Sequence, residues 1–418
     1  MEKEYVFLNK VEKQLIEEME QIVTIDCHEH LISEEHRLKA NVDFFTLFSH
    51  YTRHDLINEG MSVSEYNMLH NKNIPLETRW SIFEPHWNNI RWASYARSAL
   101  LTAKKFYGAD DINASTYKQI SENIKKANTP GLYKRILKDT CNIGISLLQN
   151  DYPYIEVDKD FFVPVTHMTF FNDTSSWKGL SRPSFNPGAK VNTLDDYLDA
   201  AEEFIAKTKS KGAVGLKMPV RETGEPTRHE AVRAFEKLRD GSVEELPPVN
   251  PIYDYVMDRI ASLAKEYDLV IAVHTGYWSD FRRLNPLHII PLLIRHPKTR
   301  FDIFHLGYPW VRETLMLGKG FPNVWLNLCW THIISQKFAT DALSEALELV
   351  PANKILAFGA DYDGPLEKVY GHLIMAREDI ARALSGKIDS GQLSMNQAVE
   401  IMKKWLHDNP RELYKLEL

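Results

Sequence analysis

The chain is poor in cysteine and has no excess of positive charge. Three of its 418 residues are cysteine, and Cys27, Cys141 and Cys329 each lie in an apolar run. This usage predicts buried thiols in a reducing compartment and argues against a disulfide framework. The net charge is −7, and no long run of lysine or arginine occurs. These features argue against nucleic acid or a membrane surface as the partner.

Long apolar runs are also missing. No stretch is long enough to span a bilayer, and the amino terminus, which begins with Met1 and carries charged residues, lacks the pattern of a signal peptide. We therefore expect a cytoplasmic protein that acts on a small molecule, without a nucleic-acid or membrane partner. We also expect a homo-oligomer. Hydrophobic residues make up 44% of the chain, which is ample for one large core.

Short apolar segments alternate with helical patterns along most of the chain. This alternation predicts a parallel sheet, and eight repeats of it predict a closed (β/α)8 TIM barrel. Helical patterns also precede the first strand and close the chain after the eighth. The eight strand candidates are residues 24–31, 141–148, 161–168, 212–218, 269–275, 300–306, 324–329 and 355–361.

The segment between the first two strand candidates breaks this rhythm. From about residue 33 to residue 139 the sequence has no strand signal and is rich in aromatic residues and helical patterns. Such a length is too great for a simple connection between two elements. We therefore predict a helical insertion at about 33–139, within a single barrel domain that covers residues 1–418.

Polar chemistry begins at the end of the first strand. Asp26, His28 and His30 occupy alternate positions, so their side chains point to the same face of the strand. Two imidazoles at this spacing are suited to hold a divalent cation. An isolated His-x-His at a strand end is more often a pair of surface histidines, so the rest of the chain has to decide between the two interpretations.

Four later strands also end in polar residues, namely Lys217, His274, His305 and Asp361. In (β/α)8 barrels the catalytic groups come from the carboxyl ends of several strands. Each residue alone has an ordinary explanation, such as a hydrogen-bonded core histidine, a helix N-cap for Asp361 or a lysine that reaches solvent. Their convergence on one rim of one barrel predicts a catalytic site.

This series resembles the amidohydrolase superfamily of metal-dependent barrels, over residues 20–418 apart from much of the insertion. The carboxyl half, with the segments 305–310, 322–327 and 358–361, is similar to the amidohydrolase-related (amidohydrolase-2) branch, which includes hydrolases, lactonases and decarboxylases. The insertion, with Tyr95-Ala-Arg97, is similar to uronate isomerases and their relatives. The Lys217 strand and the surroundings of the eighth strand depart from the isomerases.

The resemblance implies a ligand set. His28, His30, His274 and Asp361 would hold one divalent ion, for which we expect Zn²⁺, with a position open for water. Coordination lowers the pKa of such a water towards about 7. Asp361 would also accept the proton of the water as general base, and His305 would polarise the carbonyl oxygen of the substrate.

Lys217 has two alternative roles in this comparison. In relatives with two metal ions the equivalent lysine is carboxylated and bridges the ions, and His274 and His305 bind the second ion. In relatives with one ion, a cation at this position would bind a carboxylate of the substrate. An uncompensated buried ammonium is costly, so either role requires a partner.

Substrate recognition is assigned to side chains near the barrel mouth. Arg97, Arg221 and Tyr308 are the candidates, because arginine makes bidentate contacts to carboxylates and an acidic substrate is expected. Aromatic neighbours could line the mouth or pack the insertion onto the barrel, and these are His86, Trp87, Tyr277 and Trp278.

Three functions compete on this basis. A metal-dependent hydrolase of an amide, ester or lactone bond in a small carboxylated substrate is the first. A metal-dependent decarboxylase or uronate-type isomerase is the second. A metal-free aldolase that forms a Schiff base through Lys217 is the third, but that mechanism does not need four histidines on the rim.

Overall fold

The computed structural model describes residues 8–150, 156–168 and 170–417, and only the backbone of Phe171. Within these residues eight parallel strands form one sheet whose order follows the chain. The strands are β1 Thr24–Glu29, β2 Ile143–Asn150, β3 Phe162–His167, β4 Gly215–Pro219, β5 Val270–His274, β6 Arg300–Ile303, β7 Val324–Asn327 and β8 Ile355–Leu356. The bounds of the first seven lie within three residues of the segments expected from the sequence, whereas β8 ends five residues before the expected end at Asp361.

Backbone hydrogen bonds close this sheet into a barrel. Beyond β8, the carbonyl of Phe358 accepts from the N–H of Cys27 at 3.0 Å, and the N–H of Asp361 donates to the carbonyl of His28 at 2.8 Å. The last strand segment is thereby joined to the first. The predicted (β/α)8 barrel is confirmed.

Helices surround the barrel. Their starts follow local chemistry, as in the helix that begins at Pro251, where the Asn250 side chain accepts from two backbone N–H groups and proline occupies the first helical position. The α-helices of the described residues are α1 Lys10–Glu20, α2 Glu34–Lys39, α3 Thr52–Glu59, α4 Val63–His70, α5 Leu76–Ile90, α6 Ser94–Tyr107, α7 Tyr117–Ala127, α8 Phe170–Asp173, α9 Trp177–Ser181, α10 Leu194–Ser210, α11 Arg228–Arg239, α12 Pro251–Glu266, α13 Ile290–Arg295, α14 Val311–Gly320, α15 Thr331–Ile334, α16 Gln336–Leu349, α17 Lys368–Asp389, α18 Met395–Lys403 and α19 Asn409–Tyr414.

Shorter helical turns complete the secondary structure. The 3-10 segments are Phe44–Phe48, Phe281–Leu284, Pro286–Ile289, Phe304–Gly307 and Ala352–Lys354, and the π-helical segments are Lys134–Thr140 and Lys404–Asp408. Among the described residues, no helix combines the length and the apolar character that crossing a bilayer requires.

Helices α2 to α7 lie between β1 and β2, and α3 to α7 share an aromatic core of their own. The rings of Phe48 and Phe83 lie 4.6 Å apart between centroids, and the fully buried Trp87 stacks on Phe83 and donates from its indole N–H to the carbonyl of Ile112. The proposed bounds of the insertion and of a single domain stay predictions.

The carboxyl-terminal segment fills the amino end of the barrel, which lies opposite the barrel mouth. Leu413, Tyr414 and Leu416 pack among inward-facing strand residues. The Tyr414 hydroxyl donates to the carboxyl of Asp302 on β6 at 2.7 Å, and the Asn327 side chain donates to the same oxygen at 2.9 Å. Burial raises the pKa of Asp302 to about 7 in spite of these hydrogen bonds.

Candidate active site

Three predicted ligands converge at the carboxyl end of the barrel. His28 lies near the end of β1, His30 follows it, and Asp361 follows β8. One Asp361 oxygen lies 3.0 Å from His28 Nε2 and 3.6 Å from His30 Nε2. The donor atoms of all three lie within 4.8 Å of one another, and no other group of this kind occurs in the described part of the chain. This spacing suits a single divalent cation.

The backbone is strained where it delivers these groups. Asp361 has a φ of +60°, and His305 and Leu306, which follow β6, have φ values of +64° and +46°. Such conformations are uncommon for residues other than glycine and concentrate at functional sites. Gly359 allows the close approach of β8 to β1, because a Cβ at this position would lie 3.0 Å from the Cβ of His28 and 2.5 Å from that of Cys329.

Burial sets the charge of these groups. It lowers the pKa of His30 to about 3 and that of His28 well below its usual value, so both rings are neutral and able to coordinate a cation. Burial alone would raise the pKa of Asp361. The interaction with His28 outweighs this effect, holds the pKa well below its usual range and keeps the carboxylate ionised. Two neutral imidazoles and a carboxylate fit a divalent transition metal.

His274 and His305 form a chain of hydrogen bonds beside this group. His305 Nδ1 lies 3.0 Å from the carbonyl oxygen of Cys329, which only accepts, so this nitrogen carries a hydrogen. Burial lowers the pKa of His305 to about 4, so the ring is neutral and its Nε2 accepts from His274 Nδ1 at 3.0 Å. The remaining His274 Nε2 therefore has a lone pair, and this buried atom has no hydrogen-bond partner among the described residues.

In a histidine that binds a metal, one ring nitrogen offers its lone pair to the ion and the other forms a hydrogen bond that orients the ring. A buried ring nitrogen with a lone pair and no hydrogen-bond partner fits such a ligand. This observation fits the assignment of His274 to a metal. His305 accepts from His274 Nδ1 and thereby fixes the tautomer of the His274 ring. His274 lies outside the group of three donors that share the 4.8 Å limit.

Lys217 enters the site from β4. Its Nζ lies 3.4 Å from His28 Nε2 and 4.5 Å from the centroid of the Phe304 ring. The side chain is 8% exposed, so it does not extend to solvent at the mouth. Burial lowers the pKa of Lys217 to about 8. A substantial fraction of the amine is therefore neutral in weakly alkaline solution, as carboxylation requires.

A cavity of about 550 Å³ opens above these groups and is also lined by residues that the sequence did not single out. His50 and Tyr51 come from the insertion, His167 ends β3, and Trp330 follows β7. His167 could have been found, because it ends a strand candidate as His274 does. The insertion residues carry no such signal, since their approach to the barrel depends on long-range packing.

Tyr51 is an insertion residue close to the predicted metal ligand Asp361. Burial, together with the negative charge of this carboxylate, raises the pKa of Tyr51 well above its usual value. The ring is held between Trp330 and Tyr95, with centroid distances of 4.8 and 5.4 Å and near-parallel planes. The insertion thus places a protonated hydroxyl in the cavity that Asp361 also lines.

The predicted substrate-binding residues are more scattered. Arg97 forms two hydrogen bonds with Glu378 on α17, at 2.8 and 2.9 Å, and is not among the described residues that line the 550 Å³ cavity. Tyr308 packs against Phe338 and lines a neighbouring pocket with Tyr277. Arg221 lines a third pocket, which His274 and Trp278 share. Substrate binding by these residues stays a prediction.

Two aromatic candidates are accounted for by packing within the insertion. Trp87 belongs to its buried core, and His86 pairs with Glu59 on α3. Trp278, by contrast, lines the cavity above the predicted metal ligands.

Comparison with known proteins gives the family. The family model described as Amidohydrolase matches residues 179–416. Protein fluG of Emericella nidulans is 24% identical over 227 residues, which are 52% of this chain. The match spans 26% of the length of that protein.

Solved structures share the fold over the full chain. The uronate isomerase of Thermotoga maritima has a TM-score of 0.80 at 16% identity, with 98% of each chain covered. The glucuronate isomerase of Caulobacter crescentus has the same score and identity, covering 100% of this chain and 97% of its own.

A putative metal-dependent hydrolase from Lactobacillus casei has a TM-score of 0.63 at 17% identity, covering 96% of this chain and 97% of its own. At such identities these likenesses concern the fold. The family match extends over more than half of the chain and includes strands β4 to β8. The chain therefore belongs to the amidohydrolase family.

Proposed function

We propose that the protein is a hydrolase that cleaves an amide, ester or lactone bond of a small carboxylated substrate by means of a metal-activated water. The observation that carries this proposal is the position of Asp361, an ionised carboxylate within 3.0 Å of His28 Nε2 and 3.6 Å of His30 Nε2. A divalent ion held by these residues and His274 supplies an acidified water at neutral pH. Nitrogen ligands with one carboxylate favour zinc.

Each residue has a distinct task in this proposal. Asp361 accepts the proton of the attacking water, and its low pKa makes it a weak base that suffices only for an acidified water. The Tyr51 hydroxyl orients the carboxylate. Lys217 places a positive charge 3.4 Å from His28, where it stabilises the oxyanion that develops on the substrate. A carboxylated Lys217 would instead help to hold a second ion.

Isomerisation of a uronate is the second candidate. Moving a hydrogen between neighbouring carbons of a sugar acid needs an acid and a base side by side, and Tyr51 with Asp361 offers such a pair. The full-length likeness to two uronate isomerases supports the same candidate. Lys217 favours hydrolysis, because hydrogen transfer between carbons does not require a further cation beside the imidazoles.

Isotope labelling distinguishes the two candidates. The zinc-loaded protein is incubated in H₂¹⁸O with a panel of N-acyl amino acids, carboxylated esters and lactones, and separately with D-glucuronate in D₂O. Hydrolysis places one solvent oxygen in a new carboxylate, and Asp361→Asn abolishes this incorporation. The second proposal would replace the first if the wild type isomerised glucuronate and no product of the panel contained ¹⁸O from the solvent.

A further inference from the structure

The segment that carries Asp361 lies beyond the last strand of the sheet. Strand β8 ends at Leu356, and residues 357–361, here called the Asp361 segment, continue from it towards the predicted metal ligands. Asp361 itself has a φ of +60°, a conformation that the surroundings have to enforce in a residue other than glycine. The position of this carboxylate therefore depends on what holds the segment.

Two carbonyl groups of the Asp361 segment accept from backbone groups. The carbonyl of Phe358 accepts from the N–H of Cys27 on β1 at 3.0 Å. The carbonyl of Gly359 accepts from the N–H of Trp330, which follows β7, at 2.9 Å. Two other carbonyl groups of the segment accept from histidine side chains instead.

These two histidines are buried and lie on different helices. His332, on α15, places Nε2 2.9 Å from the carbonyl oxygen of Ala357. His372, on α17, places Nδ1 3.1 Å from the carbonyl oxygen of Ala360. Both side chains are fully buried. A carbonyl oxygen only accepts, so the ring nitrogen that faces it carries a hydrogen in each case.

His332 is itself held by a buried carboxyl group. Its Nδ1 lies 3.0 Å from Oδ2 of Asp379 on α17, whose side chain is also fully buried. The pair shares a proton, because either the ring is an imidazolium that donates to a carboxylate or a carboxylic acid donates to the neutral ring. In both forms Nε2 keeps its hydrogen for the carbonyl of Ala357.

Further polar contacts extend from Asp379 to the insertion. Gln336 Nε2 donates to Asp379 Oδ1 at 2.9 Å and to Glu378 at 3.1 Å. Glu378 is the residue that accepts two hydrogen bonds from Arg97 on α6. A continuous series of hydrogen bonds thus joins the insertion to the Asp361 segment.

Stability alone does not account for a buried pair of His332 and Asp379. Compared with apolar side chains of similar size, a buried ion pair contributes little net stability. Hydrogen bonds are directional, however, so the pair can fix the position of the group to which it donates. That group is the backbone carbonyl four residues before Asp361.

We propose that His332 and His372 are positioning residues for the metal site, which hold the Asp361 segment so that its carboxylate meets the two predicted histidine ligands at the end of β1. The proposal rests on the metal ligation in the proposed function. It extends that function to two side chains that are not among the described residues lining the cavity above the ligands. Loss of such a supporting hydrogen bond typically lowers metal affinity about 10- to 100-fold.

A pair of amide substitutions at each position tests the two hydrogen bonds. The amide nitrogen of glutamine reaches about as far as Nε2 of histidine, and that of asparagine about as far as Nδ1. His332→Gln should therefore keep the bond to Ala357, which His332→Asn loses. At the other position the order is reversed, because His372→Asn should keep the bond to Ala360, which His372→Gln loses.

The measured quantity is the affinity for Zn²⁺, obtained by competition with a chelator. We expect it to fall about 10- to 100-fold in His332→Asn and in His372→Gln, and to change little in the other two variants. Both substitutions of His332 remove one hydrogen bond, so both should lower the free energy of unfolding of the metal-free protein. A merely structural role would follow stability and not the choice of amide.

His296→Asn is the matched control. This half-buried histidine follows α13 and pairs with Asp258 on α12 at 2.8 Å, in the helices around the barrel. We expect a lower free energy of unfolding in this variant and an unchanged affinity for Zn²⁺.

Two results would overturn the proposal. One is the same order of glutamine and asparagine at both positions, and the other is a wild-type affinity for Zn²⁺ in all four variants. If a variant at one position fails to fold, the pair at the other position decides, since the amide that keeps the hydrogen bond must also keep the affinity.

The affinity for Zn²⁺ requires no substrate, so this test is independent of hydrolysis. A wild type that binds Zn²⁺ and hydrolyses, but whose variants show no difference between the two amides, contradicts the positioning role alone. If the difference is present and no member of the substrate panel is hydrolysed, the hydrolase function is contradicted and the positioning role stands. A wild type without affinity for Zn²⁺ contradicts both.

Discussion

The two ends of the barrel differ in the side chains that occupy them. At the amino end, Leu413, Tyr414 and Leu416 fill the space between the strands, and one oxygen of Asp302 accepts from Tyr414 and Asn327, whereas its other oxygen has no hydrogen-bond partner among the described residues. At the carboxyl end, imidazoles, a carboxylate and an amine crowd together, and His274 Nε2 has no hydrogen-bond partner among the described residues. Side chains of the carboxyl-terminal segment fill the amino end, whereas a cavity of about 550 Å³ opens above the polar groups of the carboxyl end.

Backbone conformation follows this division in part. Asn142 and Asp268, which precede β2 and β5, have positive φ values of 55° and 54°, and both are residue types that tolerate this conformation. At the carboxyl end Leu306 and Trp330 adopt it, which is unfavourable for such side chains, and Lys415 adopts it beside Tyr414 at the amino end. Strain of about 1–3 kcal/mol for each such residue persists only where the surroundings enforce it. Residues of this kind are more numerous at the carboxyl end but are not confined to it.

The largest expected effect comes from the carboxyl end. Asp361→Asn removes the proton acceptor and should lower turnover by about two to four orders of magnitude while the fold is retained. Circular dichroism checks the fold and steady-state kinetics check turnover. Asp363→Asn is the comparison, because this neighbour also lines the cavity, but its side chain is 55% exposed. An inactive Asp363→Asn beside an active Asp361→Asn would transfer the role of base to Asp363.

A glycine provides the second test. Gly359→Ala places a Cβ 2.5 Å from that of Cys329 and 3.0 Å from that of His28, so the backbone has to move. We expect a loss of about 1–3 kcal/mol in the free energy of unfolding and a fall in metal affinity. Denaturant titration and metal titration measure the two effects.

Gly386→Ala is the matched control for that substitution. Gly386 lies in α17, and a Cβ there would meet no atom within 4 Å. Alanine should stabilise this helix by about 0.5–1 kcal/mol without a change in metal affinity. Equal behaviour of the two variants would contradict the view that Gly359 serves the approach of β8 to β1.

The contrast between the ends was only partly visible in the sequence. Alternating strand and helix patterns predicted the barrel, and the rule that strand ends carry the chemistry predicted that His28, Lys217 and Asp361 meet. Tyr51 was missed because it reaches Asp361 through the packing of the insertion, which no local pattern records. Tyr414 was missed for a similar reason, since the interior position of the last helix depends on contacts with strands more than a hundred residues away in sequence.

The smallest effect on turnover is expected for a substitution of Asp302, which lies at the amino end. Because burial raises the pKa of Asp302 to about 7 in the folded state, from about 4 when unfolded, the folded protein binds the extra proton between these values. The contribution of Asp302 to stability is therefore full below pH 4 and is lost as the pH rises to 7.

Asp302→Asn removes this dependence. The free energy of unfolding should depend less on pH between 4 and 7, by at most about 1.4 kcal/mol per pH unit, and turnover should change little. Urea titrations at several pH values measure the slope. An unchanged slope would place the pKa of Asp302 outside this window, and a large loss of turnover would remove the functional distinction between the two ends.

The central claim is that the carboxyl end binds a divalent metal through His28, His30 and Asp361, with His274 beside them. Elemental analysis of the purified protein tests this most directly, with His28→Ala as the variant and His36→Ala, an exposed histidine on α2, as the control. We predict about one ion per chain, or two with a carboxylated Lys217, a loss of at least about tenfold in His28→Ala and no loss in His36→Ala. Full metal content in His28→Ala would contradict the account.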